Sequence, residues 1–183
     1  MSVKVRATIE DLYKVPDNFK MEIVDGEVRL MSPTGDLPNR AGGAIYVSLR
    51  LFEPKVTGGR AYSDNAGFRV NLPQRESFSP AAAFHIGAST GMSFLEGAPV
   101  FAVEVRSEGD YGAAAGEKIA QKRADYFATG TLVVWDVDLL SDDVVKVYRA
   151  SDPENPTIYR RGDLAEAEPA VPGWSIPVDA LFD

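Results

Sequence analysis

The sequence predicts a mixed α/β domain in which helices pack around one central sheet. Its length of 183 residues suits a single domain over residues 1–183, and 45% hydrophobic beside 25% charged residues is typical of a globular chain. Two apolar runs, 99–106 and 132–137, predict buried strands, and residues 112–129 between them predict the clearest helix. The predicted element order is hairpin, helix, three strands, helix, strand and hairpin.

Local patterns predict the elements of the first third of the chain. Thr8 ahead of two acidic residues predicts a short helix to about Lys14, which Pro16 ends. Residues 21–31 form two apolar-rich runs around an Asp-Gly pair, which is a strong signal for a β-hairpin. Residues 38–52 have an apolar side chain at about every fourth position, so they predict a second helix.

The remaining elements follow from alternation, apolar runs and turn residues. Alternating or apolar runs predict four strands, at 67–72, 82–86, 99–106 and 132–137. Gly130 is the expected stop of the helix over 112–129. Segments 144–148 and 157–160 predict a hairpin joined by a loop that contains Pro and Asn, and a Pro-rich wrap follows it to the end of the chain.

Composition and charge exclude several classes of function. The chain has no cysteine and a single histidine, His85, which excludes disulfides, thiolate metal sites, thiol nucleophiles and multi-histidine metal sites within one chain. The net charge is −8, and residues 131–183 contain 11 acidic and 4 basic residues, so −7 of it belongs to an acidic C-terminal part of the same domain. This balance argues against broad electrostatic attraction to nucleic acid but leaves room for a local basic cleft.

No segment has the features of a membrane span or a signal peptide. No apolar run approaches the roughly 20 residues that a transmembrane helix needs. The first residues lack a long apolar core and a cleavage-site pattern. We therefore expect a soluble, cytoplasmic protein without a membrane partner.

Glu104 is the most informative polar residue because it lies near the end of an otherwise apolar strand. A carboxylate in such a run is costly unless it is paired, hydrogen-bonded or bound to a metal. Lys118, Lys122 and Tyr126 follow on the next helix at intervals of four, so they share one face. This combination suits phosphodiester chemistry, in which a carboxylate holds Mg²⁺ and lysine stabilises phosphate charge. The structural alternative is a strand-end charge paired with an arginine, solvated lysines and a packed tyrosine.

Other candidate residues carry weaker signals. His85 lies in a short strand, where a packed or hydrogen-bonded role outweighs a catalytic one. Asp136 and Asp138 share one strand face, a spacing that suits paired carboxylates. Since they lie where the strand enters the acidic segment, we expect them to be solvated charges.

Four strings of residues occur in an order that is more specific than any of them alone. They are MEIVDGE at 21–27, SP at 79–80, AVEVRS at 102–107 and KRADYFATG at 122–130, and segments 135–138 and 171–174 fit the same pattern. Together they resemble the Uma family of restriction-endonuclease-like proteins, part of the PD-(D/E)XK nuclease superfamily. The resemblance covers nearly the whole chain. It implies a restriction-endonuclease-like α-β-β-β-α-β core with an N-terminal hairpin and a C-terminal hairpin and wrap.

The resemblance also implies site residues. Glu22 and Glu104 match acidic positions that hold Mg²⁺ or Mn²⁺ and serve in catalysis. The position two residues after Glu104, where the simplest pattern has lysine, is Arg106, and the lysine matches Lys122 on the following helix instead. The resemblance assigns supporting roles to Gln121 and Tyr126.

One position departs from the family pattern. The family has Pro-Asp where this chain has Pro80-Ala81, although Glu104 follows at the usual spacing. The missing aspartate is a direct metal ligand in the family, and the Ala81 side chain has no oxygen. The metal site therefore loses a charge and a ligand unless Glu22 compensates for it.

Three functions remain open at this point. The first is a divalent-metal-dependent endonuclease that hydrolyses phosphodiester bonds in DNA, with Arg106, Lys118 and Arg123 contacting the backbone. The second is a catalytically inactive nuclease-fold protein that binds nucleic acid or protein. The third, ranked last, is a hydrolase that acts on another substrate, such as a glycosidase that uses Glu22 and Glu104 as its carboxylate pair. The resemblance further implies a homodimer, because restriction-type enzymes bring two sites to two strands.

Overall fold

The structure is a computed structural model that describes residues 6–14 and 20–183. Its helices are α1 Ile9–Leu12, α2 Asp36–Phe52 and α3 Ala113–Ala128, with 3₁₀ turns at Glu53–Lys55 and Val178–Leu181. Its strands are β1 Lys20–Val24, β2 Glu27–Met31, β3 Gly59–Ser63, β4 Phe68–Leu72, β5 Arg75–Phe78, β6 Ala82–Ile86, β7 Leu95–Glu96, β8 Phe101–Val105, β9 Val133–Val137, β10 Val145–Arg149, β11 Asp152–Tyr159, β12 Leu164–Glu166 and β13 Ser175–Pro177. None of these helices is long and apolar enough to cross a membrane. The helix end predicted at Pro16 lies outside the described residues.

The strands form two large sheets and one small one, so the prediction of a single central sheet is wrong. One sheet has six strands in the order β11-β10-β9-β8-β6-β3, and the other has five in the order β2-β1-β5-β4-β7. Strands β12 and β13 pair separately. The sequence pattern missed β3 and β5 because β3 begins with glycine and β5 reads Arg-Glu-Ser-Phe, which has no apolar alternation.

The six-stranded sheet contains the α-β-β-β-α-β core in chain order. Helix α2 is followed by β3, β6 and β8, and then by α3 and β9. Strands β8 and β9 are parallel and α3 connects them, whereas the other pairings in this sheet are antiparallel. The mixed α/β fold class is therefore confirmed, with β4, β5 and β7 leaving the core to build the second sheet.

Apolar side chains cover both faces of the six-stranded sheet. On one face, α2 and the C-terminal wrap pack against strands β6, β8, β9 and β10, and Trp135 meets Trp174 with ring centroids 5.4 Å apart. On the other face, α3 and the five-stranded sheet meet, and the Tyr126 ring stacks on Phe78 at 3.9 Å. Because such burial supplies most of the folding free energy, these contacts hold α3 and the second sheet together beside β8.

The C-terminal hairpin differs in detail from its prediction. Strand β11 begins at Asp152, so the Pro and Asn residues expected in the connecting loop lie within the strand. Strand β11 is an edge strand and its pairing with β10 is irregular between Val147 and Arg149. Proline is tolerated there because an edge strand leaves some backbone N–H positions without a ladder partner.

Glycine at position 59 is required by the packing of the core. A Cβ atom there would lie 2.2 Å from a ring carbon of Phe84, which is completely buried. We expect Gly59→Ala to lower the free energy of unfolding by about 1–3 kcal/mol, measured by urea denaturation. Gly43→Ala is the matched control: position 43 is exposed within α2 with no atom in the way, so that variant should gain about 0.5–1 kcal/mol. Equal stability of the two variants would contradict this account.

Candidate active site

Glu104 lies near the carboxyl end of β8, on the sheet face that α3 covers. Its carboxylate oxygen Oε1 accepts a hydrogen bond from the Tyr126 hydroxyl at 2.7 Å and lies 2.9 Å from Lys122 Nζ. The side chain is 25% exposed, so it still meets solvent. The intervals of four noted in the sequence therefore do place Lys122 and Tyr126 together at one carboxylate.

Glu22 reaches the same lysine from the other sheet. It lies on β1, is only 4% exposed, and its Oε1 is 2.8 Å from Lys122 Nζ. The same oxygen accepts the backbone N–H of Ser79 at 2.8 Å, and Oε2 accepts a hydrogen bond from Arg75 at 2.8 Å. The Lys122 ammonium thus bridges two carboxylates from two different sheets.

A second buried ion pair supports this bridge, and sequence reasoning missed its members. Arg75 Nε donates to Asp125 Oδ2 at 2.8 Å, so the guanidinium joins Asp125 to Glu22. Asp125 Oδ1 accepts hydrogen bonds from Gln74 at 2.7 Å and from Gln121 at 3.0 Å. Nothing in the sequence distinguishes Arg75 from a surface residue, whereas Asp125 offers one signal: it lies three residues after Lys122, on the same side of α3.

The buried charges determine the protonation states of the site. Burial opposes the charged form of Lys122, but Glu104 and Glu22 outweigh it and raise the pKa of that ammonium. Burial likewise opposes ionisation of Glu22, yet Lys122, Arg75 and the Ser79 N–H together lower its pKa. Burial and the neighbouring Glu104 raise the pKa of Tyr126 well above its ordinary value. At neutral pH the site therefore contains an ammonium, a Glu22 carboxylate and a neutral phenol, and Lys122 has no free lone pair to act as a base.

The residues predicted to contact a phosphate backbone differ in their surroundings. Arg106 makes a two-pronged ion pair with Asp136, both N–O distances being 2.7 Å. Lys118 is exposed on α3, and the Arg123 guanidinium lies 3.7 Å from the centre of the Tyr148 ring. Of these three residues, Arg106 is therefore occupied by an ion pair within the protein and does not present a free charge to a phosphate.

Asp136 and Asp138 are not solvated charges, so that expectation is wrong. They are 3% and 9% exposed, and Asp138 lies 3.8 Å from Arg106 and accepts a hydrogen bond from the Tyr111 hydroxyl at 2.9 Å. Burial and this hydrogen bond raise the pKa of Tyr111 to about 12. Arg106, which follows the neighbouring strand β8, forms ion pairs with both acids.

His85 has the packed environment that its sequence context favours. It is 6% exposed, its Nδ1 lies 3.3 Å from the Ala98 carbonyl oxygen, and its ring packs edge-on against Phe68. Burial lowers its pKa. It lies apart from the described contacts of Glu104.

Comparison with known proteins identifies the family. The family model Uma2, described as "Putative restriction endonuclease", matches residues 7–179. The chain belongs to the Uma2 family. A crystal structure from Anabaena variabilis ATCC 29413, titled as a putative nuclease belonging to DUF820, has the same fold, with a TM-score of 0.73 and 16% identity over 96% of this chain and 97% of that one. A comparison with the curated proteins finds no match.

Position 81 of this Uma2 protein lies directly beside Glu104. The Ala81 N–H donates to the Val103 carbonyl oxygen at 2.9 Å, and that carbonyl belongs to the peptide bond that leads into Glu104. Ala81 is half-buried against α2, where a Cβ on Gly42 would come within 3.6 Å of the Ala81 Cβ.

The residues present do not fit the divalent metal that the resemblance implies. Within residues 6–14 and 20–183, no three His, Asp or Glu side chains come together as a metal site. Between the two predicted carboxylate ligands lies the Lys122 ammonium, a cation that competes for the same oxygens. Ser79 Oγ is buried without a hydrogen-bond partner in the described region, but a neutral hydroxyl does not replace the carboxylate that the resemblance implies at position 81. We therefore assign no metal-dependent step to this site.

Removal of the Arg75 cation tests the buried network. Arg75→Met leaves Glu22 and Asp125 buried without their shared partner, and we expect a loss of about 3–5 kcal/mol in the free energy of unfolding at neutral pH. The pKa of Glu22 is lowered in the native state, so the stabilisation is present above the ordinary carboxyl range and disappears as the pH falls through the lowered value. Urea denaturation at stepwise lower pH should therefore show the two proteins converging.

The control for that variant is Arg29→Met, which breaks an exposed pair with Asp25. It should cost no more than about 1 kcal/mol at any pH. If Arg29→Met and Arg75→Met lower the free energy of unfolding by similar amounts, the buried network contributes no more to stability than an exposed ion pair.

Proposed function

We propose that this Uma2-family protein is a DNA-binding descendant of a metal-dependent endonuclease, and that it no longer hydrolyses phosphodiester bonds. One observation carries the proposal: the Lys122 ammonium lies 2.8 Å from Glu22 and 2.9 Å from Glu104, where a nuclease of this superfamily needs those carboxylates for a metal. An internal cation is paired with both acids, so a divalent ion has to displace it before it can bind both carboxylates.

The residue at position 81 supports the same conclusion. An aspartate there would start from the backbone beside Glu104 and add the carboxylate that the family pattern has. With alanine, Glu104 and Glu22 are the predicted ligands that remain, and Glu22 is already engaged by three donors. Metal affinity and cleavage both depend on hard oxygen ligands, so both should fall with their number.

An active Mg²⁺- or Mn²⁺-dependent DNA endonuclease is the second candidate. The observation in its favour is that every described contact of Glu104 falls on Oε1, so Oε2 faces no protein donor in the described residues. A partly exposed carboxylate oxygen beside Lys122 retains part of a nuclease site. The glycosidase hypothesis has no such support, because Glu22 is buried and bonded to Arg75, out of reach of a sugar.

A plasmid-nicking assay tests the proposal. Supercoiled plasmid is incubated with the unaltered protein, Ala81→Asp and Ala81→Asn across a Mg²⁺ and a Mn²⁺ series. We expect cleavage only by Ala81→Asp, because asparagine matches its size but supplies no charge to a hard cation. Glu104→Ala in the Ala81→Asp background should abolish that cleavage.

Calorimetric titration of the same proteins with Mn²⁺ gives a readout that does not depend on activity. Ala81→Asp should bind Mn²⁺ more tightly than either the unaltered protein or Ala81→Asn. Nicking by the unaltered protein that Glu104→Ala stops would overturn the proposal and establish the endonuclease. The homodimer and the cytoplasmic location stay predictions that native mass measurement and cell fractionation can check.

A further inference from the structure

A group of basic residues lies beside Glu104 and takes no part in the buried network. Lys146 on β10 is in register with Asp136 on β9, which is in register with Glu104 on β8. Residues in register on neighbouring strands project from the same face. Since strands lie about 4.8 Å apart, the Lys146 Cα is about 10 Å from that of Glu104.

Helix α3 adds two more cations to this face. The Arg123 guanidinium lies 3.7 Å from the ring centre of Tyr148, which is two residues after Lys146 and on the same face of β10. Lys118 lies one helical turn before Lys122 and is exposed. Lys118, Arg123, Lys146 and Tyr148 are called the basic strip below.

Among the residues that the structure describes, the cations of the basic strip have no ion-pair partner, in contrast to their neighbours. Of the four basic residues in the acidic segment 131–183, all of which is described, three form ion pairs: Arg149 with Glu166, Arg160 with Asp143 and Arg161 with Asp179. The fourth, Lys146, has no ion pair there. Likewise no acidic side chain in the described region pairs with Lys118 or Arg123, whereas Arg106 and Lys122 on the same side of the sheet are neutralised.

We propose that the basic strip binds the phosphodiester backbone of a nucleic acid strand that runs along α3 and β10 past Glu104. This inference rests on the proposed DNA-binding function and assigns that function to a defined surface of the protein. Lysine and arginine attract the phosphates, and the half-buried Tyr148 under Arg123 offers a planar stacked pair of the kind that packs against bases.

A nucleic acid fits this surface better than an acidic polypeptide. An acidic polypeptide such as polyglutamate would use the three cations but has no aromatic ring to place against the Arg123–Tyr148 pair. A nucleic acid strand uses both, because each nucleotide carries one phosphate and one aromatic base. The two ligands therefore differ in their dependence on Tyr148.

Fluorescence anisotropy with labelled duplex and single-stranded oligonucleotides over a salt series tests the inference. The variants are Lys118→Ala, Arg123→Ala, Lys146→Ala and their triple combination. For each single variant, the slope of log K against log salt concentration for duplex DNA should become shallower by about 0.9. Arg60→Ala is the matched control, since it removes one exposed positive charge from β3 at the far edge of the same sheet and should leave the slope unchanged.

Tyr148 variants separate base stacking from charge. Tyr148→Leu should weaken single-strand binding by at least about fivefold, and Tyr148→Phe, which keeps the ring, should bind like the unaltered protein. Thermal unfolding of each variant shows whether the fold is retained. A loss with Leu and Phe alike would contradict a stacking role.

The remaining outcomes distinguish this inference from the proposed function. If the unaltered protein binds DNA and the triple variant binds it with the same slope as Arg60→Ala, the basic strip is the wrong surface and DNA binding stands. If the unaltered protein binds no oligonucleotide, both proposals fall. If polyglutamate displaces the labelled oligonucleotide as well as unlabelled DNA does, and Tyr148→Leu changes the affinity for neither ligand, the ligand is an acidic polypeptide.

Discussion

The Lys122 ammonium joins three parts of the fold that are distant in the chain. It extends from α3 to Glu104 on the six-stranded sheet and to Glu22 on the five-stranded sheet. A buried charge costs several kcal/mol unless it is paired, so the Lys122 ammonium depends on these two carboxylates, of which Glu22 is buried and Glu104 is partly exposed. The spacing between the two sheets and the position of α3 over them are therefore tied to this one set of contacts.

Arg75 and Asp125 complete the same electrostatic unit. Acidic and basic groups alternate from Glu104 through Lys122, Glu22 and Arg75 to Asp125. Each buried charge in this series therefore contacts at least one group of opposite charge. Gln74 and Gln121 satisfy the last carboxylate oxygen. Each carboxylate of the unit is paired with a cation from the protein itself, so the unit keeps its ion pairs without an external cation.

The six-stranded sheet separates polar from apolar rows near the site. The row of Ala102, Val134 and Tyr148 lies under α3, and the next row toward the carboxyl ends of β8 and β9 contains Glu104, Asp136 and Lys146. Helix α3 buries the first row against the second sheet and leaves part of the other row at the solvent edge. The acids of this second row, on β8 and β9, are paired with Lys122 and Arg106, whereas Lys146 on β10 has no ion pair among the described residues.

The sequence by itself determined the elements whose signals are local. The Asp-Gly hairpin, the periodicity of α2 and α3, and the apolar runs of β8 and β9 depend on neighbours within a few residues, and they form where they were predicted. Glu104, Lys122 and Tyr126 could be selected because a strand-end carboxylate and a helix spacing of four are visible in the chain.

Only the tertiary structure decided which distant groups meet. Arg75 reaches Glu22 across a sequence separation of 53 residues, and no local pattern shows that the Arg-Glu-Ser-Phe run pairs with β1 to start a second sheet. The ion pair between Arg106 and Asp136 was also not visible in the sequence, because it depends on the register of the two parallel strands β8 and β9. Ion pairing and strand pairing depend on separation in space, which sequence spacing determines within a helix or a hairpin and does not determine between distant segments.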